Sequence, residues 1–124
     1  IFVYHALKGL PYTVYKGHYR IFDYVEDTCR TFANIVDNFI PGEVYNVGSR
    51  EDWQVDIKYV SDLVLKYLGK DDSSVTYKES EAFTTKIKQM DFSKIRRDLN
   101  HETKIPIEEG VPKYIDWMKS FYRI

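Results

Sequence analysis

Two runs, Arg20-Ile-Phe-Asp-Tyr-Val-Glu-Asp27 and Gly42-Glu-Val-Tyr-Asn-Val-Gly48, organise the reading of this chain. Asp27 offers a side-chain acceptor of the kind that caps a helix. Phe32, Ile35, Val36 and Phe39 then recur at helical spacing. A helix is expected from Asp27 to Phe39, with those four residues on one face. Pro41-Gly42 ends it. Val44 to Val47 reads as a buried strand that runs into the Gly48-Ser49 turn.

Outward from these runs, Ile1 to Lys8 suits the end of a helix stopped by Gly9 and Pro11, and Tyr12-Thr-Val-Tyr15 suits a short strand. Asp56 to Leu68 is strongly amphipathic, with Val60, Leu63, Val64 and Tyr67 inward and Gly69 as its stop. Lys70 to Ser74 is a polar loop, and Val75-Thr-Tyr77 a further strand. Asp91 opens a short helix through Leu99 that buries Ile95. Pro106 suits the start of the last helix, Ile107 to Phe121, with Ile107, Val111, Ile115 and Met118 in one stripe. Helices and short strands interleave along the whole length, so the expected fold is a small mixed α/β domain, residues 1–124.

The 124 residues carry a net charge of −1, which supplies no basic stripe for nucleic acid. Cys29 is the single cysteine, so no intramolecular disulfide forms and a cytoplasmic location is expected. No apolar run approaches the roughly 20 residues that span a bilayer. His5, His18 and His101 stand apart without cysteine neighbours, so no metal site is expected. Glu108-Glu109 and Asp71-Asp72 fit a helix's first turn and a loop without any functional role. Eleven Tyr and seven Phe make the chain aromatic, suited to a half-buried cleft or interface. The start at Ile-Phe-Val-Tyr-His, with no initiator Met, reads as a cut from a longer protein.

Several motifs resemble those of the extended short-chain dehydrogenases that epimerise or dehydrate nucleotide sugars. The first run is similar to R-x-[FWY]-x-[YH]-V-x-D and the second to G-x-x-Y-N-[VI]-G. Asp91-Phe-Ser-Lys94 resembles the D-x-S-K element, and Arg97-Asp-Leu-Asn100 part of the R-x-x-L-G turn. Pro106-Ile-Glu-Glu-Gly-Val-Pro-Lys-Tyr-Ile-Asp-Trp-Met118 resembles the family's closing helix. The likeness spans roughly residues 5 to 122 and places the chain as the carboxy-terminal substrate-binding half, most like the nucleoside-diphosphate-glucose 4,6-dehydratase and 4-epimerase branch. It implies NAD on an amino-terminal Rossmann domain absent from this sequence, a nucleotide-diphosphate sugar as substrate, oxidation at the sugar's C4, and a homodimeric full-length enzyme. A non-enzymatic nucleotide- or sugar-binding module of the same fold is the competing class.

The chemistry of hydride transfer is not in this stretch. No Gly-rich turn that could cradle a dinucleotide's pyrophosphate occurs among the six glycines. Tyr4 to Lys8 and Tyr12 to Lys16 match Tyr-x-x-x-Lys, but the family's catalytic pair lies far upstream of the Arg20 run. No catalytic residue is expected here, and the isolated chain should neither bind NAD nor turn over substrate. Binding is what remains. The resemblance makes Arg20 the pyrophosphate ligand, a role for which a planar fork of donors is suited. Ile21 replaces an acid common in relatives, and Tyr15-Lys-Gly-His-Tyr-Arg20 replaces a Gly-rich turn. The stretch Glu79 to Lys88 lacks the second Arg of relatives, and Lys86 or Lys88 is the candidate substitute. Asn46 is a further candidate beside the cleft, where Asn46 and Gly48 are expected to fix the strand-to-turn geometry.

Overall fold

The computed structural model describes residues 1–80 and 83–123. Five helices, α1 (Phe2–Lys8), α2 (Val25–Asn38), α3 (Ile57–Leu68), α4 (Ser93–Leu99) and α5 (Ile107–Tyr122), alternate with four short strands, β1 (Tyr12–Tyr15), β2 (Tyr19–Ile21), β3 (Gln54–Asp56) and β4 (Val75–Lys78). β1 pairs with β4 in parallel, Tyr12 opposite Val75. β2 pairs with β3 antiparallel, Arg20 opposite Val55. The mixed α/β expectation holds, and β1, β4 and all five helices fall close to where the sequence puts them.

α3 shows how local chemistry sets an element. Asp56 caps it by accepting from the Lys58 amide at 2.8 Å. Gly69 closes it in the left-handed region, φ 63°, and its amide returns to the last carbonyls. Leu63, Val64 and Leu65 are buried against Val3, Ala6, Tyr12, Val14, Val111, Ile115 and Met118 to form the main core. A second, smaller cluster gathers Phe92, Ile95 and Leu99 with Ile21, Ile35, Tyr45 and Val47.

Three expectations are corrected. Tyr67 is exposed, not inward. Its hydroxyl donates to the Glu108 carbonyl at 3.0 Å, the acceptor that Pro112, lacking an amide hydrogen, cannot use one turn later. Asp27 does not cap α2, which starts at Val25. Its buried carboxylate instead accepts from the amides of Lys104 (3.0 Å) and Ile105 (3.1 Å) and pairs with Arg30. The apolar face of α2 is not covered: Phe32, Val36 and Phe39 are 55, 81 and 67 % exposed. The residues α2 buries are Asp27 and Thr31.

The third correction concerns Val44 to Val47, which forms no strand, and Val44 is 81 % exposed. Among the described residues no strand pairs with this segment, so its backbone joins no ladder. Tyr45 and Val47 pack on the Phe92 cluster while Val44 and Asn46 face out, which preserves the alternation without the sheet.

Candidate anion-binding edge

β2 lies between two neighbours. On one side it pairs with β3, and on the other Tyr19 bridges in parallel to Ile87, with the Tyr19 amide donating to the Lys86 carbonyl at 2.7 Å. Lys86 and Lys88 flank the bridge residue. Both lysines are exposed, and neither forms an ion pair with a carboxylate among the described residues. Most arginines nearby differ: Arg50 is held by Asp52 at 2.7 Å and Arg96 by Glu51 at 2.8 Å.

Arg20 leaves β2 toward this same segment. Its Nη1 donates to the carbonyls of Tyr19 (2.7 Å) and Lys86 (3.0 Å), and its Nη2 to that of Thr85 (2.9 Å). Gln54, on β3, donates to the Lys88 carbonyl at 3.2 Å. Asn46 donates to the Asp91 carbonyl at 3.3 Å. Arg20, Lys86 and Lys88 therefore come together at one edge, whereas Asn46 sits at the far end of the same segment. Glu79 is held below the usual carboxylate range chiefly by Lys16 at 2.7 Å, with the charge of Lys86 contributing.

A buried polar network joins α2 to the turn at Gly48. His101 Nε2 donates to the Gly48 carbonyl at 2.8 Å, and Nδ1 lies 2.5 Å from the Thr31 hydroxyl, which itself donates to the Asp27 carbonyl at 3.4 Å. Gly48 is closely packed: a Cβ there would meet Phe92 Cε1 at 2.4 Å, so the ring would have to shift. Asp23 accepts from Thr28 and is shifted up, mainly by burial. Sequence reasoning missed the β2–β3 pairing, Gln54 and the role of His101. Three-residue strands are too short for periodicity, and no local pattern links residue 31 to residue 101. Among the described residues no group of His, Cys, Asp or Glu could hold a metal ion, and no helix is long and apolar enough to cross a membrane.

The fold is a known one. No family model matches the chain. A trifunctional UDP-glucose 4,6-dehydratase/UDP-4-keto-6-deoxy-D-glucose 3,5-epimerase/UDP-4-keto-L-rhamnose-reductase of Arabidopsis thaliana is 29% identical over 119 residues, 94% of this chain and 17% of that protein. The dTDP-glucose 4,6-dehydratase of Escherichia coli is 28% identical over 120 residues, 91% of this chain and 33% of that enzyme. The UDP-glucuronic acid 4-epimerase of Bacillus cereus, solved with UDP-glucuronic acid and NAD, superposes with a TM-score of 0.81 at 23% identity, covering 98% of this chain and 39% of that one. The architecture is that of one part of these dehydratase and epimerase structures, about 39% of the Bacillus cereus epimerase chain. The chain is similar to nucleotide-sugar dehydratases and epimerases and spans a third or less of the length of the two curated relatives described above.

Proposed function

We propose that this chain is the nucleotide-sugar-binding domain, residues 1–124, of an NAD-dependent epimerase or dehydratase, most like a nucleoside-diphosphate-glucose 4,6-dehydratase. The observation that carries the reading is the convergence of Arg20, Lys86 and Lys88 on one exposed edge, where neither lysine forms an ion pair with a carboxylate among the described residues. A diphosphate is the group such an edge suits, because it offers several charged acceptors to donors that need no further partner. Asn46 belongs to the same site as the residue that fixes its far end.

The chemistry belongs to a dinucleotide-binding half that carries NAD. This domain anchors the nucleotide so that the sugar's C4 meets the nicotinamide, which is catalysis by orientation. The bare apolar face of α2, with Phe32, Val36 and Phe39, is the surface that half covers. The whole protein acts as a cytoplasmic homodimer.

The test is calorimetry of the chain with UDP-glucose, dTDP-glucose, free glucose and NAD. Saturable binding of a nucleotide sugar, with no binding of glucose or NAD, is expected. Saturable NAD binding would show that the division of labour is wrong.

A further inference from the structure

His101 is 5 % exposed and uses both ring nitrogens to join α2 to the Gly48 turn. The Gly48 carbonyl only accepts, so Nε2 carries a hydrogen. The state of Nδ1 turns on the Thr31 hydroxyl, which has one hydrogen and two acceptors within reach. With that hydrogen on the Asp27 carbonyl, Nδ1 must donate to the Thr31 oxygen and the ring is an imidazolium. With the hydroxyl turned to Nδ1, the ring is neutral. The Asp27 carbonyl then loses only the side-chain bond that a threonine makes one helical turn back. Both ring nitrogens are thus partnered in either charge state, and one hydroxyl rotation separates the two.

The charges around the ring single out one partner. On α2, Asp27 is tied to Arg30, while Glu26, Cys29 and Asp37 are exposed. On α4, Lys94 is tied to Glu43, Arg96 to Glu51 and Arg97 to Asp98. Beyond the Gly48 turn Arg50 holds Asp52, and beside the ring in sequence Lys104 holds Glu102. Asp23, just before α2, differs: one oxygen accepts from Thr28, and Oδ1 is buried with no hydrogen-bond partner among the described residues. Burial raises its carboxyl, while the Thr28 hydrogen bond and the positive charge of His101 act in the opposite sense.

We propose that His101, Thr31 and Asp23 form a buried proton site: Nδ1 takes a proton from solvent, the Thr31 oxygen accepts the new N–H, and the Asp23 carboxylate is the counter-charge. The site is independent of substrate binding. One covalent bond forms, Nδ1–H, and the Thr31 hydrogen moves from Nδ1 to the Asp27 carbonyl. Imidazole is the side chain suited to such a step within the physiological range. In the charged state the bonds to Gly48 and Thr31 are charge-assisted, so acidification tightens the strut between α2 and the Gly48 turn. The pair Asp23 and His101 titrates as a unit.

The test is a pH titration of the chain followed by nitrogen NMR of the imidazole rings and carbon NMR of the aspartate carboxyls. In the wild type, Nε2 of His101 should stay protonated throughout, while Nδ1 is bare at high pH and gains a hydrogen on acidification. The Asp23 carboxyl signal should show an inflection at the pH where the ring titrates. Asp23→Asn should move the midpoint of the ring to lower pH, because the charged ring loses its counter-charge. Thr31→Val should abolish the protected Nδ1–H seen in acid, and Thr31→Ser should restore it. A high-pH tautomer with its hydrogen on Nδ1 would overturn the proposal, as would an Asp23 signal that ignores the titration of the ring. An unmoved midpoint in Asp23→Asn, or an Nδ1–H that survives Thr31→Val unchanged, would overturn it as well. The wild-type titration decides the matter alone if a variant fails to fold.

Discussion

α5 and α2 carry similar patterns and bury opposite faces. α5 turns Val111, Ile115 and Met118 into the core and leaves Glu108, Glu109 and Lys113 outside. α2 turns Asp27, Thr31 and Asn34 inward, where they meet the amides of Lys104 and Ile105, the ring of His101 and the Leu99 carbonyl, and leaves Phe32, Val36 and Phe39 outside. The contrast teaches that a helical apolar stripe marks a face to be covered without saying by what. In α5 the cover is in this chain. In α2 the proposed cover is the dinucleotide-binding half, and what faces inward is a polar network, which must be fully partnered because it is buried.

The largest effect should come from breaking the polar side of α2. Asp27→Ala removes a fully buried carboxylate and strands Arg30 and two amides, so denaturant unfolding should show a loss of about 3–5 kcal/mol. Ile115→Ala, on the covered face of α5, should cost about 2–5 kcal/mol in the same assay. Gly48→Ala should cost about 1–3 kcal/mol, because the added methyl must displace the Phe92 ring. The bare face should behave oppositely. Val36→Ala and Phe39→Ala should change the stability of this chain by no more than about 0.5 kcal/mol, while charged substitutions there should abolish assembly with a dinucleotide-binding half in co-purification. A loss comparable to that of Ile115→Ala would mean that the α2 face is already covered.

The smallest effect is in pH. Burial raises the Asp23 carboxyl above its ordinary value of 3.8, so the folded state binds that proton more tightly than the unfolded one. Its contribution therefore favours folding increasingly as pH falls from above the raised value towards 3.8. Glu51, Asp52 and Asp98 are lowered, chiefly by hydrogen bonds from Arg96, Arg50 and Arg97, and act in the other sense: their stabilisation is lost in acid. Asp23→Asn should remove only the first component. Thermal unfolding scans of both proteins from neutral to mildly acid pH should then differ in slope in that window.

How much of this was legible beforehand follows the range of the interactions. α3 and α5 could be read because cap, stripe and stop all lie within one segment, as with Asp56, Leu63 and Gly69. The cationic candidates Arg20, Lys86 and Lys88 could also be named, from the motif and the missing second Arg. What could not be read was pairing across distance. The bond of Asp27 to residues 104 and 105, the path from Thr31 through His101 to Gly48, and the grip of Gln54 on residue 88 join segments with no shared pattern. The Val44–Val47 strand was expected from its composition, and composition does not reveal whether a neighbouring strand exists to complete a ladder.

The central claim is that one edge, β2 with residues 85–88, receives the diphosphate. The most direct measurement is amide chemical-shift mapping of the chain titrated with uridine diphosphate. The account predicts saturable shifts concentrated at Tyr19, Arg20, Lys86, Ile87 and Lys88. Shifts gathered instead around the 260 Å³ cavity lined by Gly9, Leu10, Gly69 and Lys70, with Lys86 and Lys88 unmoved, would contradict it.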